Sequence, residues 1–126
     1  MKAEWSNHWK TSKQPRKQRK YRLNAPLHIL HKFLSAPLSE ELRKKYAKRN
    51  TPVRRGDTVQ ICRGSFKNLR GKIDRVFIRK GRITVENVTR SKKDGSKIPV
   101  LVPASSVLIT DLNVDDKQRL AALGRK

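Results

Sequence analysis

Cysteine occurs once in this chain, acidic side chains are scarce, and no apolar run approaches the ~20 residues that a membrane-spanning helix needs. Each shortage excludes something. The single thiol, Cys62, cannot form an internal disulfide, and its alternating surroundings fit a strand residue with no basic histidine nearby to activate it. Without a long apolar run, or a sustained apolar face on the basic segments, the sequence offers no means of membrane insertion. The opening "MKAEWSNHWK" has no apolar secretory core, which leads to the expectation of a protein that stays in the cytoplasm or nucleus. Aromatics make up 6% and hydrophobic residues 35% of the 126 positions, enough for one small core that leaves much of the chain outside it.

Positive charge is what the chain has in excess. Thirty-two Lys and Arg stand against ten Asp and Glu, a formal +22 that a small isolated domain would carry only with strong self-repulsion. A polyanionic partner relieves that repulsion, and with membranes set aside nucleic acid is the leading candidate. The charge is uneven: residues 1–50 carry +11, residues 51–110 carry +10, and residues 111–126 only +1.

The few acids make no catalytic constellation. Asp57, Asp74, Glu86 and Asp94 are each flanked by basic residues or turns, which fits ion pairs within a basic surface, and Asp57 fits a residue that tightens its own turn. His28 and His31 are three apart and could share a helical face, but with one cysteine and no carboxylate cluster beside them they fit packing or RNA contact rather than a metal. The expectation is therefore no enzyme, no cofactor and no metal.

The pattern divides the chain into four parts. Residues 1–38 form a basic arm in which "KTSKQPRKQRKYR", Lys10 to Arg22, holds seven basic residues and no acidic one, and is expected to be extended until an anion orders it. Residues 39–50 read as a helix of about three turns, capped by Ser39, with Glu40 and Glu41 at its positive end and Leu42 and Tyr46 on one face. From residue 51 to 110 the period changes to two. Short strands are punctuated by Gly56, by Lys80-Gly81, by Asp94-Gly95 in "TRSKKDGSK" and by Pro103, which predicts a small, strongly bent barrel. Residues 111–126 predict a short C-terminal helix capped by Asp115, with Gly124 just past its last turn. The fold class is thus mostly β, with short helices before and after the barrel.

The stretch "GSFKNLRGKI" looks at first like a nucleotide loop. Six residues separate Gly64 from Gly71 where a Walker loop has four, and Ile73 follows Lys72 where a magnesium-binding hydroxyl is needed. A tight basic turn that lets a sugar-phosphate chain approach fits better, with Gly64 and Gly71 supplying backbone freedom. Gly71→Val is then expected to weaken binding without touching the arm's contribution.

In "RRGDTVQICRGSFKNLRGKIDRV" the span Val53 to Val76 resembles a KOW motif, with "GDTVQICRG" as its first strand and "GKIDRV" as its second. "SKQPRKQRKYRLNAPLH" and "LSAPLSEELRKKY" resemble the tail and helix that precede that motif in the archaeal and eukaryotic form of the universal KOW-containing large-subunit ribosomal protein, family twenty-four. Roughly 110 of the 126 residues fit in order, far more than a KOW motif alone. Asn68 stands where the motif usually has glycine, and Asn tolerates left-handed angles. The segment containing Trp5, His8 and Trp9 matches nothing in the family; its tryptophans, four apart, permit either base stacking or a local hydrophobic anchor.

The resemblance implies an SH3-like barrel with an N-terminal arm that binds large-subunit rRNA near its 5′ end, close to the polypeptide exit tunnel, and supports subunit assembly. Its implied partners are rRNA, neighbouring ribosomal proteins and factors that meet the nascent chain, with no homo-oligomer. The rRNA-binding candidates are Lys10, Lys13, Arg16, Lys17, Arg19, Lys20 and Arg22 in the arm; Arg54, Arg55, Arg63, Lys67, Arg70 and Lys72 around the glycine-bounded loop; and Arg90, Lys92 and Lys93 in the Asp94 hairpin. Gly56, Gly64 and Gly71 are the loop-forming residues. A KOW module of a transcription-elongation factor is the alternative, disfavoured because no second globular domain precedes the barrel.

Overall fold

Strands begin where the period-two alternation begins, because branched side chains on alternate residues fit a pleated surface with one face buried. The computed structural model describes residues 5–9 and 12–125. Its centre is a five-stranded antiparallel sheet built from β3 (Thr58–Ile61), β4 (Arg70–Phe77), β5 (Arg82–Val85), β8 (Val102–Pro103) and β9 (Val107–Asp111), in the order β8-β5-β4-β3-β9. A 3-10 turn, Ala104–Ser106, joins the last two strands. This is the bent KOW-type barrel expected from the sequence.

Strand β4 makes the bend. Its first half pairs with β3, Val59 opposite Gly71, and its second half pairs with β5, Val76 opposite Ile83. The register slips between Ile73 and Arg75, where the buried Thr84 hydroxyl accepts the Arg75 amide at 3.1 Å. A bulge of this kind sharpens local twist and lets one strand serve two faces of a barrel. Inside, Val59, Ile61, Ile73, Ile83, Val85, Val88, Val107 and Ile109 are buried, and no aromatic ring lies in this innermost cluster. Short aliphatic side chains are what so tightly curved a sheet can enclose.

The barrel core extends past the boundary read from composition. Leu34, Ala36 and Leu38 are buried against it, and β1 (Ser35–Pro37) pairs with β2 (Asn50–Pro52). The Val53 amide donates to the Leu34 carbonyl at 3.1 Å, and Ser39 N–H to Ile109 at 2.8 Å. Residues 34–38 are thus part of the folded unit rather than the end of the arm. Full burial of a leucine such as Leu38 contributes about 1.5–3 kcal/mol, which explains why this stretch does not stay outside.

Between these strands lies α3 (Glu40–Tyr46), about two turns rather than three. Ser39 Oγ accepts the Leu42 amide at 3.5 Å, as the capping pattern predicts. Ala47 ends the helix with a φ of +50°, and Asn50 has already entered β2. At the other end, α4 (Lys117–Gly124) is capped by Asp116 rather than Asp115, its carboxylate accepting the Gln118 amide at 2.9 Å. The one-residue shift follows from Asn113, whose side chain takes the Asp115 amide at 3.0 Å and delays the helix start. Gly124 belongs to the last turn instead of following it.

Candidate nucleic-acid interface

Three basic elements surround the barrel, each built by a different local rule. The first is α1 (Pro15–Asn24), which corrects the expectation of an extended arm. Pro15 occupies the first turn, where its missing N–H costs nothing, and the Arg, Lys, Gln and Leu that follow are good helix formers. Tyr21 anchors it: Trp9 stacks on its ring with centroids 4.7 Å apart, Trp5 lies at 5.0 Å, and Trp5 Nε1 donates to the Tyr21 carbonyl at 3.1 Å. Phe33 of α2 (Leu27–Phe33) lies on from Tyr21 at 6.3 Å. Of the arm candidates, Lys13, Arg16, Lys17, Arg19, Lys20 and Arg22 are exposed, and Lys10 lies outside the described residues. His28 and His31 fall on α2, exposed and half-buried respectively.

The second element is the loop between β3 and β4. Gly64 has a φ of +92° and Asn68 a φ of +70°; the glycine uses the backbone freedom expected of it, and Asn68 takes the left-handed angle that its side chain tolerates. The loop closes through Asn68 N–H to the Ile61 carbonyl at 2.8 Å and Lys67 N–H to Gly64 at 3.1 Å, with Phe66 packed against the core as its foot. Arg63, Lys67, Arg70 and Lys72 are exposed around it.

Gly71 does not act as expected. Its φ is not in the left-handed region; it lies in β4, where an added Cβ would sit 2.8 Å from the Glu86 carbonyl oxygen and 2.9 Å from Val85 Cγ1. The glycine permits close backbone approach between the end of the loop and the start of the next hairpin. Any loss of binding in Gly71→Val therefore arises through the fold. Even Gly71→Ala is expected to destabilise by about 1–3 kcal/mol, as overpacking does, measurable as a lowered urea midpoint; wild-type stability would contradict this.

That close approach joins the second element to the third. Glu86 N–H donates to Lys72 at 2.9 Å, and the chain then runs through buried Val88 into the hairpin β6 (Thr89–Ser91) and β7 (Lys97–Pro99). Every residue from 89 to 99 is exposed, Arg90, Lys92 and Lys93 included. At the tip Asp94 Oδ1 accepts the Ser96 hydroxyl at 2.6 Å and its amide at 2.9 Å, which lowers the Asp94 pKa, while Gly95 turns with a φ of +82°. The acid at this tip shapes the turn.

Arg54 and Arg55 are the candidates whose charge is engaged within the protein. Arg54 pairs with Asp116, and Arg55 Nη2 lies 3.9 Å from Asp74. Gly56, with a φ of +88°, makes the turn between them and Asp57. Asp57 does tighten that turn, accepting the Arg54 amide at 2.9 Å, but it has a second partner that sequence reading missed. Arg119, from α4, donates to both Asp57 oxygens at 2.5 and 2.7 Å, to Asn113 O at 2.8 Å and to Pro52 O at 3.3 Å. The Asn113 amide completes the shell at 3.0 Å. Sixty-two residues separate Asp57 from Arg119, so no local spacing signals the pair.

Asp116 has its pKa lowered, first by the hydrogen bond from Arg54 and then by the Gln118 amide. A carboxylate held below its ordinary value of 3.8 stabilises the fold above that pH, and the contribution is lost as pH falls through the lowered pKa. Asp116→Asn is expected to reduce the acid sensitivity of the unfolding midpoint below about pH 4. Superimposable acid profiles for the variant and wild type would rule this out.

Arg79 and Lys80 were also missed as candidate site residues. They lie in the β4–β5 turn and, with Arg22, line a groove of about 770 Å³ between the N-terminal helices and the barrel. The signal was present in "IRKGR", read only as a turn.

A bent five-stranded barrel flanked by exposed basic elements is the architecture of the KOW class. The model of the ribosomal protein family that comprises the eukaryotic L26 proteins and their archaeal counterparts matches residues 12–126, and the chain belongs to that family. It is 46% identical over 112 residues to the large ribosomal subunit protein uL24 of Methanosarcina barkeri, covering 89% of this chain and 97% of that one. The protein of the same name from Methanothrix thermoacetophila is 46% identical over 108 residues, covering 86% and 93%, and that of Methanosphaera stadtmanae 42% over 115 residues, covering 91% and 98%. Membership displaces the transcription-elongation alternative.

Proposed function

We propose that this chain is a cytoplasmic, structural constituent of the large ribosomal subunit that binds the subunit's rRNA directly, near its 5′ end and close to the exit tunnel, and supports assembly. The observation that carries the reading is electrostatic. Apart from Arg54 and Arg55, the basic candidates among the described residues are exposed, and no carboxylate of the described residues lies within ion-pair distance of them. Their charge is available to an external polyanion.

Phosphates satisfy that charge and release their counterions on binding, while the shape of folded RNA selects the site. Close packing of the loop exit against the hairpin base presents two basic elements side by side, and α1 adds a third. Neighbouring ribosomal proteins are the natural protein contacts, and the exposed Asp111 and Asp115 take no part in the capping work done by Asp116, which leaves them free to meet factors at the tunnel exit.

Gradient sedimentation of a cell lysate at low and then high salt, with immunodetection of the chain, tests the reading. It predicts persistence in the large-subunit peak at high salt. Release from that peak would identify a loosely docked factor instead.

A further inference from the structure

We propose that the recess formed by Trp5, Trp9 and Tyr21 against α1 receives an unstacked base of single-stranded RNA. This rests on the reading of the chain as an rRNA-binding protein and names the form of RNA that one face of its arm takes. The family match begins at residue 12, so neither tryptophan falls within the matched residues.

The recess measures about 270 Å³ and is lined by Trp5, Ser6, Trp9, Lys17, Lys20, Tyr21 and Asn24. Small-molecule pockets start near ~300 Å³, a scale that suits a single base rather than a duplex. Its chemistry is mixed in the way single-strand binding requires: aromatic faces for the base, cations for the backbone. Lys17, Lys20, Tyr21 and Asn24 follow the i, i+3, i+4, i+7 spacing and so share one face of α1. Lys17 and Lys20, one turn apart, line the recess together with the rings, and the Asn24 amide offers both a donor and an acceptor to a base edge. Charge complementarity selects the occupant, since an apolar peptide would leave both lysines unanswered.

Trp5 and Trp9 are the two tryptophans of the whole sequence, so fluorescence excited selectively at tryptophan reads this recess alone. The full chain should be titrated with a short oligouridylate, with a blunt RNA duplex and with inorganic polyphosphate. Saturable quenching by the oligonucleotide, and little by the other two, is the expected result. Trp9→Leu keeps an apolar anchor on Tyr21 and should weaken oligonucleotide binding, read by anisotropy of a labelled strand, about 5- to 150-fold, the range of base–aromatic stacking. Absence of quenching by the oligonucleotide, equal quenching by polyphosphate, or unchanged affinity in Trp9→Leu would each overturn the proposal. Binding of an rRNA fragment by the same preparation is scored separately: its persistence without quenching removes only the base recess, and its loss removes the rRNA-binding reading itself.

Discussion

Replacing Arg119 with alanine is expected to lower the free energy of unfolding by about 3–5 kcal/mol. Asp57 is fully buried and Arg119 only 5% exposed, so removal of the guanidinium leaves a carboxylate in the interior with two backbone amides as its remaining donors. Uncompensated charge of that kind costs more than the pair gains when intact. Against the roughly 5–15 kcal/mol that holds a domain folded, the loss is large. Arg119→Lys should fall between, because an ammonium keeps the charge but cannot donate to both Asp57 oxygens and two carbonyls in one plane. A double variant, Asp57→Asn with Arg119→Met, should recover part of the loss by leaving no charge behind. Urea unfolding of the four proteins decides the matter. A change below about 1 kcal/mol in Arg119→Ala, the size of an exposed pair, would show that α4 is held by Leu123 and its neighbours instead.

The second large effect concerns binding. Substitution of Arg16, Lys17, Arg19 and Lys20 with alanine is expected to weaken rRNA binding about 30- to 1,000-fold at low salt, with each exposed contact contributing about 0.5–1 kcal/mol. The slope of log K against log salt should fall by about 3, close to one released counterion per contact. Alanine is the best helix former and none of the four side chains is buried, so α1 itself should persist. An unchanged circular dichroism spectrum would separate lost contacts from lost structure. An unchanged salt slope would show that the arm does not touch phosphate.

Much of the barrel was legible because its signals are local. Alternation marked the strands, the hairpin tips were announced by Lys80-Gly81 and Asp94-Gly95, and Asn68 took the left-handed angle that its side chain tolerates. The arm was misread because composition describes what a segment can bury alone. Residues 15–24 form a helix with no buried residue of their own, yet two tryptophans from another part of the chain cover Tyr21. Gly71 was misread for a related reason: sequence shows that a side chain is absent, and only the neighbouring Glu86 backbone shows why.

The barrel class, the capped α3 and the turn at Gly56 are written in local sequence, since each depends on residues within a few positions of one another, and the cationic excess is a matter of composition. Tertiary structure alone decided that residues 34–38 join the core, that Arg119 reaches back to Asp57, and that the loop exit lies beside the hairpin base. Those are contacts between distant segments, fixed by packing and by the need to satisfy every buried charge and amide, and no local spacing records them.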